Sequence, residues 1–284
     1  MNIKESLKRR FKVNSIELKS IGGGSINETY KIIIPQQTFF CKINSATKFP
    51  HLFQKEANGL NNIKAQKIIR VPEVVDCFED EENQLLILEW IQPGERTELF
   101  WKTFGESLAA LHHVSDKYFG LAEDNYMGSV PQQNLQRKDW VGFFANHRLQ
   151  PLIEQCREKK LLSSNHVQQF ESIINKLPGI FNQESPCLLH GDLWSGNFMC
   201  DEVSNPVLID PAVYFGHRSV DLAMTTLFGG FRQPFYEAYH YHFPLPDNYQ
   251  EQWKACNLYP LLIHLLLFGK SYLSQIESTL NDFQ

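Results

Sequence analysis

The sequence places an aspartate and an asparagine at the spacing of a kinase catalytic loop. Asp192 and Asn197 lie five positions apart within His190–Asn197, the segment HGDLWSGN. In kinases with this D-x-x-x-x-N spacing, the aspartate accepts the proton of the attacking hydroxyl group and the asparagine binds a magnesium ion. The segment therefore predicts phosphoryl transfer from ATP, with Asp192 as the catalytic residue and Asn197 as a metal ligand.

A second candidate metal ligand follows thirteen positions beyond Asn197. Asp210 comes directly after the apolar run Val207–Ile209, which is typical of a short strand. Its carboxylate is a hard oxygen ligand of the kind that magnesium prefers. Each residue alone carries little information, because aspartate and asparagine are common in ordinary turns. The order of strand, loop, asparagine, strand and aspartate is what predicts a magnesium site.

A glycine-rich segment near the N-terminus is a candidate phosphate-binding loop. It lies between two predicted strands and consists of Gly22, Gly23, Gly24 and Ser25. Glycine amides can approach phosphates closely because no Cβ atom obstructs them. The segment does not match the G-x-x-x-x-G-K-[ST] pattern, and a flexible turn is the plainer interpretation of a glycine triplet.

Lys42 and Glu56 could complete the nucleotide site. Lys42 ends the second strand of a predicted hairpin, and Glu56 lies in the helix predicted to follow. Protein kinases use a strand lysine at the phosphates and a helix glutamate that orients it. The order predicts the same ion pair here, with Lys55 as a competing partner. For either residue taken alone, a solvated surface charge is the alternative interpretation.

A hinge is predicted where the strands give way to helices, near Glu89–Gly94. The backbone groups of Glu89 and Ile91 are spaced to offer one acceptor and one donor to an adenine edge. The side chain of Trp90 would then point elsewhere, into packing. We expect these three residues to contact the nucleotide.

The elements that would position these residues change character along the chain. Strands are predicted before the hinge, around one helix at about 49–67, and the predicted strands are Ser15–Ile21, Thr29–Ile34, Thr38–Ile43, Glu73–Phe78 and Gln84–Trp90. Helices are predicted afterwards, at Leu99–His113, Trp140–Glu158, Asn165–Lys176 and from about Ser219 to the end, with a surface loop over Gly120–Lys138.

This order predicts an α+β fold with two unlike lobes. Residues 1–90 would form a small antiparallel, β-rich lobe that binds the nucleotide. Residues 91–284 would form a larger, mostly α-helical lobe that carries the catalytic and substrate-binding residues. A cleft between two unlike lobes is a natural place for a nucleotide.

The composition excludes several other classes of protein. Hydrophobic residues make up 43% of the 284 residues, enough for a large core, so disorder is excluded. A net charge of −5, without a long basic run, argues against nucleic-acid binding. The apolar run Leu258–Phe268 is too short to cross a bilayer, and no signal peptide is evident. Six scattered cysteines indicate reduced thiols, so we expect a cytoplasmic protein without a membrane partner.

Several segments together resemble the fructosamine kinases, also called ketosamine-3-kinases. The resemblance lies in HGDLWSGN, in Asp210–Phe231 (DPAVYFGHRSVDLAMTTLFGGF), and in the shorter segments GGGSIN, CKIN and LEWI, so it covers nearly the full chain. The family belongs to a larger group with protein-kinase-like folds that includes aminoglycoside and choline kinases. The resemblance implies ATP- and magnesium-dependent phosphorylation of the 3-hydroxyl of a ketoamine. The phosphorylated adduct then falls apart, so the activity removes sugars from amines, free or protein-bound.

The resemblance also implies roles for individual residues. Asp192 would be the proton acceptor, while Asp221 would be a buried carboxylate that braces the catalytic loop. Trp194 would either form an apolar wall for the sugar or pack under the loop. His217 and Arg218 would either contact substrate or phosphate, or cap a helix and pair with Asp221. Some family members carry a cysteine in the glycine-rich loop where this chain has serine, so a thiol switch is not expected here.

Two other functions remain to be weighed against a ketoamine kinase. A kinase of the same fold could act on an aminoglycoside or a choline-like alcohol, and an aminoglycoside pocket would be rich in acidic residues. A non-catalytic nucleotide-binding protein is a further alternative. Its signature would be the loss of Asp192, Asn197, Asp210 or Lys42, and all four are present.

Overall fold

The N-terminal part is built around one antiparallel sheet. A computed structural model describes residues 3–22, 26–80 and 82–284. The five strands lie in the order β1-β2-β3-β5-β4 and are β1 Glu17–Ser20, β2 Glu28–Ile34, β3 Gln37–Ser45, β4 Val74–Asp80 and β5 Asn83–Glu89. The predicted hairpin is observed as β2 and β3, paired from Glu28 with Ile43 to Ile34 with Gln37. β-Branched and aromatic side chains favour this pleated, half-buried surface.

Two helices pack against this sheet. Helix α1 (Ile3–Phe11) contributes Leu7 to a core with the buried strand residues Ile32 and Ile87. Helix α2 (Leu52–Gln66) buries the residues spaced at one helical face, which are Phe53, Ala57, Leu60 and Ile63. This is the periodicity that predicts the helix, and it leaves Glu56 beside the buried stripe.

The remaining part is mostly helical. Its helices are α3 Glu98–His112, α4 Trp140–Phe144, α5 Gln150–Glu158, α6 Ser164–Ile180, α7 Ser219–Leu227, α8 Gln233–His242, α9 Tyr249–Phe268 and α10 Leu273–Asp282. A π-helical turn, Ala145–Leu149, joins α4 to α5, so the helix predicted over Trp140–Glu158 is observed with one irregular turn. Helix α9 packs against α5, α6, α7 and α10 and forms the centre of this core. Among the residues described, no helix is both long and apolar enough to cross a membrane.

Three short antiparallel pairs frame the predicted catalytic segments. They are formed by β6 Asn125–Met127 with β7 Val130–Gln132, β8 Cys187–Leu189 with β11 Tyr214–Gly216, and β9 Phe198–Cys200 with β10 Pro206–Leu208. The predicted catalytic segment, His190–Asn197, connects β8 to β9, and Asp210 lies in the segment that follows β10. Strand β11 comes back beside β8, so both predicted segments are anchored at each end by strand pairing.

The prediction of a surface loop over Gly120–Lys138 is wrong in its central part. Residues 123–134, which we name the polar hairpin, contain β6 and β7 and pack into the interior. The side chains of Asn125, Gln132 and Asn134 are buried there. Their amides bond to one another and to backbone carbonyls, which removes the cost of burying them. A polar composition therefore does not make this segment a surface loop.

On one side of the molecule, ion pairs and a hydrogen bond join the end of the sheet to the β9–β10 turn. Arg70, which precedes β4, forms ion pairs with Glu89 at the end of β5 and with Asp201 beyond β9. The amide of Gly94 donates a hydrogen bond to the carbonyl of Cys200 at 2.9 Å. A Cβ atom at Gly94 would meet the carbonyl oxygen of Asp201 at 1.9 Å, so only glycine fits this approach.

Candidate active site

The catalytic segment is held from beneath by a buried carboxylate. Asp221, in the first turn of α7, accepts hydrogen bonds from the amides of His190 at 2.7 Å and Gly191 at 2.8 Å. His112 contacts the same carboxylate at 3.2 Å through Nε2 and contacts the hydroxyl of Tyr239 at 2.8 Å through Nδ1. The sequence indicates Asp221, whereas His112 and Tyr239 carry no sequence signal because they come from distant helices.

Contacts with neighbouring backbone groups explain why the segment begins with a histidine and a glycine. His190 donates through Nε2 to the carbonyl of Ile209 at 2.9 Å, and its Nδ1 accepts from the amide of Asp192 at 3.2 Å. Burial lowers the pKa of His190, which suits this neutral tautomer. Gly191 has a φ of +85°, and a Cβ atom there would meet the carbonyl oxygen of Ala212 at 2.1 Å. Only glycine fits that position.

Asp192 and Asn197 are in direct contact. The side-chain amide of Asn197 donates to the carbonyl of Asp192 at 2.8 Å and to its carboxylate at 2.9 Å. Burial and the negative charge of Asp210 raise the pKa of Asp192 well above its usual range. The bond from Asn197 acts in the opposite direction because it stabilises the carboxylate. With its NH₂ group turned to Asp192, Asn197 keeps its side-chain oxygen for another ligand.

Asp210 adopts a strained backbone conformation. Its φ is +57°, in the left-handed region, and Pro211 follows it. A non-glycine residue in such a region costs about 1–3 kcal/mol, and a following proline restricts the backbone further. Neighbouring bonds hold it in place. The amide of Ile209 donates to the carbonyl of Asn197 at 3.1 Å, and that of Ala212 donates to the carbonyl of His190 at 2.8 Å.

Lys42 joins the sheet, α2 and Asp210. Its Nζ atom lies 2.7 Å from Oε1 of Glu56 and 2.8 Å from Oδ1 of Asp210. Burial alone would lower the pKa of Lys42, but the two carboxylates outweigh it and raise the pKa above its ordinary value. Burial also raises the pKa of Glu56, against the effect of Lys42. Lys55, the competing candidate, instead contacts the carbonyl of Asp124.

These groups surround one cavity of about 510 Å³. Its walls come from the sheet, α2, the polar hairpin, the catalytic segment and α9, and they include Gly22, Thr29, Phe40, Lys42, Glu56, Tyr126, Asp192, Trp194, Asn197, Met199, Asp210, His264 and Phe268. Gly22 is the member of the predicted glycine loop that lines it. Gly23, Gly24 and Ser25 lie outside the described residues, so their phosphate contacts stay a prediction.

One end of the cavity is aromatic. Trp194 packs edge-on against Phe228 at 5.9 Å between ring centroids, and Phe228 contacts His264 at 4.9 Å. His264 contacts Phe268 at 5.5 Å. Its Nδ1 donates to the carbonyl of Pro260, and burial lowers its pKa, so the ring is neutral. Sequence reasoning missed His264 as a site residue, because it lies within an otherwise apolar helix.

The predicted hinge residues begin with Glu89, the last residue of β5, and the neighbouring strand β3 supplies Phe40 and Lys42 to the cavity. The amide of Glu89 donates to the carbonyl of Glu73 at 2.9 Å. Trp90 packs under the ammonium group of Lys31, 4.0 Å from the ring centroid, in line with the packing role predicted for it. The backbone contacts of Glu89 and Ile91 with adenine stay a prediction.

The interpretation of His217 and Arg218 as substrate contacts requires correction. Arg218 donates two hydrogen bonds to Glu184, at 2.9 and 2.8 Å, and stacks on Phe243 at 3.7 Å from the ring centroid. His217 is buried against Phe181 and lies 3.6 Å from Glu184. Both side chains point into the interior, where Glu184, and not Asp221, neutralises Arg218. They hold the start of α7 and do not reach the cavity.

Comparison with known proteins identifies the family. The family model described as fructosamine kinase matches residues 1–284, the whole chain. The chain belongs to the fructosamine kinase family. The "probable ketoamine kinase" of Enterococcus faecium is 36% identical over 92% of this chain and 93% of its own length. The "protein-ribulosamine 3-kinase, chloroplastic" of Arabidopsis thaliana is 34% identical over 94% and 82%, respectively.

Solved structures agree with this family assignment. A candidate fructosamine-3-kinase from Haemophilus somnus superposes with a TM-score of 0.88 at 27% identity, covering 99% of this chain and 96% of the other. The aminoglycoside phosphotransferase APH(4)-Ia, in a complex with AMP-PNP and hygromycin B, superposes with a TM-score of 0.69 at 13% identity, covering 100% and 98%. The second likeness concerns the fold alone. The predicted α+β, two-lobed protein-kinase-like fold is therefore confirmed.

Proposed function

We propose that this fructosamine kinase family member is an ATP-dependent ketoamine 3-kinase. The observation that carries the proposal is the convergence of Asp192, Asn197, Asp210 and Lys42 on one cavity. These are the groups that phosphoryl transfer requires: a proton acceptor, two oxygen ligands for a metal and a cation for the phosphates. Residues 1–90 would bind the nucleotide, and residues 91–284 would carry the catalytic groups and the substrate.

The side chains around Asp210 suit a magnesium ion. Asn197 and Asp210 offer one amide and one carboxylate oxygen to the same cavity. Within residues 3–22, 26–80 and 82–284, no group of three or more His, Cys, Asp or Glu side chains could hold a metal alone. This fits magnesium, which takes few protein ligands and completes its shell with phosphate and water oxygens. When bound, the ion would neutralise negative charge on the phosphates.

The proposed reaction uses Asp192 as the proton acceptor. A ketoamine 3-hydroxyl placed beside Asp192 would transfer its proton to the carboxylate as its oxygen attacks the γ-phosphorus of ATP. Asn197 keeps the carboxylate in one orientation, and Lys42 holds the phosphates. The products are ADP and the ketoamine 3-phosphate. When this adduct enolises towards C1, the C3–O bond breaks and phosphate leaves, which a hydroxide would do far less readily. Water then hydrolyses the imine that forms at C1, and the amine is freed, which constitutes deglycation.

The aromatic end of the cavity supports a ketoamine over an aminoglycoside. Trp194, His264, Leu267 and Phe268 line that end, and all four are uncharged. In the described part of the cavity lining, the carboxylates are Glu56, Asp192 and Asp210, each already assigned to the phosphoryl-transfer machinery. An aminoglycoside carries several ammonium groups and would require additional carboxylates. A sugar with one secondary amine fits aromatic faces.

The state of the cysteine side chains indicates in which cellular compartment the protein works. All six cysteines are free, and five of them are buried. A chain of this size that keeps six thiols without a disulfide suits a reducing compartment, so we propose the cytoplasm.

A substrate panel tests the proposed function. The purified protein is incubated with ATP, magnesium and either ketoamines of different sugar length, an aminoglycoside or choline, and ADP release is measured. We expect turnover with at least one ketoamine and a phosphate at the 3-position of the product. Turnover with an aminoglycoside or choline alone would contradict the proposal at the level of substrate.

A further inference from the structure

The polar hairpin contacts the turn of α2 that carries Glu56. Asn58 donates to the carboxylate of Glu123 at 2.9 Å, and Lys55 contacts the carbonyl of Asp124. Lys55 directly precedes Glu56, and Asn58 follows it by two positions. The hairpin therefore holds both sides of the helical turn from which Glu56 reaches Lys42.

On its other side the polar hairpin bonds to the backbone that follows Asp210. The side-chain amide of Asn125 donates to the backbone carbonyl of Val213 at 2.8 Å, and the side-chain amide of Gln132 donates to that of Ala212 at 3.2 Å. These carbonyls lie two and three positions after Asp210. Asp210 has a left-handed conformation, which persists only where neighbouring contacts hold the backbone. The bonds to residues 212 and 213 supply such contacts and thereby also set the direction of the Asp210 carboxylate.

Gln132 is fully bonded in the interior. Its Oε1 accepts from the hydroxyl of Tyr259 at 2.8 Å, and its Nε2 donates to Asn125 as well as to Ala212. Gln132 is 2% exposed and Tyr259 is 3% exposed. This position uses two donor hydrogens and one acceptor oxygen, which an amide side chain supplies together.

The chain between Asp210 and α7 is short. It enters β11 at Tyr214, pairs with β8, and reaches the start of α7 at Ser219. Protein kinases place the corresponding groups through an activation loop that phosphorylation orders. Here hydrogen bonds from the polar hairpin hold the backbone of residues 212 and 213, which follow Asp210.

We propose that Asn125 and Gln132 are positioning residues that hold Asp210 and the Glu56 turn of α2 in their catalytic arrangement. Tyr259 supports Gln132 from α9. The proposal rests on the proposed function in one respect, because it takes Asp210 to be a metal ligand. It predicts that loss of the hydrogen bonds made by Asn125 and Gln132 lowers the affinity for the nucleotide in the presence of magnesium. The affinity without magnesium should remain.

The test compares two buried glutamines. Gln132→Leu removes the side-chain amide that bonds to Ala212 and Asn125. Gln252→Leu removes a fully buried amide that bonds to Ile180, Asn182 and the hydroxyl of Ser219 and does not line the cavity. The dissociation constant of ADP is measured by calorimetry with and without magnesium, together with the melting temperature. We expect Gln132→Leu to weaken ADP binding in magnesium by roughly 10-fold or more, with metal-free binding within about twofold of wild type. Gln252→Leu should lower the melting temperature only.

A folded Gln132→Leu protein with the wild-type magnesium dependence overturns the proposal. If that variant does not fold, Tyr259→Phe decides, because it deletes only the hydroxyl that bonds to Gln132. A loss of about 3-fold or more in magnesium-dependent ADP binding then supports the proposal, and an unchanged value overturns it. A wild-type protein that binds magnesium and ADP but phosphorylates no ketoamine would contradict the proposed function alone.

Discussion

The ammonium group of Lys42 lies 2.8 Å from the carboxylate of Asp210, so a residue of the sheet directly contacts the predicted metal ligand that follows β10. Glu56 approaches the same ammonium group at 2.7 Å. Three elements that are distant in sequence thus meet at one buried cation. Because the cation neutralises both carboxylates, its removal would affect the nucleotide site and the metal site together.

Replacement of Lys42 by methionine should show this dependence. Lys42→Met leaves Glu56 and Asp210 without their shared cation, and the phosphates lose a positive charge. We expect kcat/KM for ATP to fall by roughly 10²–10³-fold, as when an enzyme loses one charge-stabilising donor. Steady-state kinetics measure the effect. The exposed Lys19→Met in β1 serves as the control, and an equal loss in both variants would remove Lys42 from its assigned role.

Asp192→Asn tests the assignment of the proton acceptor. Asparagine has the same shape as aspartate but cannot accept the hydroxyl proton, so turnover should fall by roughly 10²–10⁴-fold. The affinity for ADP should change little, because in the proposed reaction Asp192 would contact the acceptor hydroxyl and not the nucleotide. Turnover is measured with a ketoamine, and ADP binding is measured by calorimetry. Near-normal turnover would show that another group takes the proton.

Trp194→Ala probes the aromatic end of the cavity. The side chain is 37% exposed and borders both Asp192 and the ring cluster around His264. Loss of a stacking face should raise KM for the ketoamine by roughly 5–30-fold, corresponding to about 1–2 kcal/mol, and leave KM for ATP unchanged. Tyr241→Ala, an exposed aromatic residue of α8, is the matched control. A rise in KM for ATP instead would place Trp194 at the nucleotide.

His217 should make the fold sensitive to acid. Burial lowers its pKa to about 4, with Glu184 opposing the shift, whereas an unfolded histidine titrates near pH 6.5. Between these values the unfolded state binds the proton, so stability falls as the pH falls from about 6.5 to about 4. At pH 4.5 this loss would be about 2–3 kcal/mol relative to pH 7.

Urea unfolding at pH 7 and pH 4.5 checks this expectation. His217→Gln lacks the titrating ring, so its free energy of unfolding should decrease less between the two pH values than that of the wild type. The variant will be less stable at pH 7 because a packed ring is lost. An identical decrease in both proteins would mean that other groups cause the acid sensitivity.

Local patterns in the sequence predict the fold class and the main elements. The strand pair β2–β3 and helix α2 follow from side-chain periodicity, and the HGD segment follows from its spacing. These features depend on neighbours in sequence.

The polar hairpin and the role of Arg218 could not be predicted in this way. Asn125 and Gln132 are buried because carbonyls some eighty positions away accept their hydrogen bonds. Arg218 is fixed by Glu184, 34 positions earlier. Composition alone assigns such polar residues to the surface or to a binding site, and only the tertiary partner decides.

The contacts of Arg70 and Gly94 restrict how the cleft between the sheet and the helical part can open. Arg70 links the end of β5 to Asp201, and Gly94 lies against the same β9–β10 turn, so the back edge of the molecule is fastened. When a nucleotide enters or leaves the cavity, the sheet should therefore move little at this edge, and the distance between Glu89 and Asp201 should stay nearly constant.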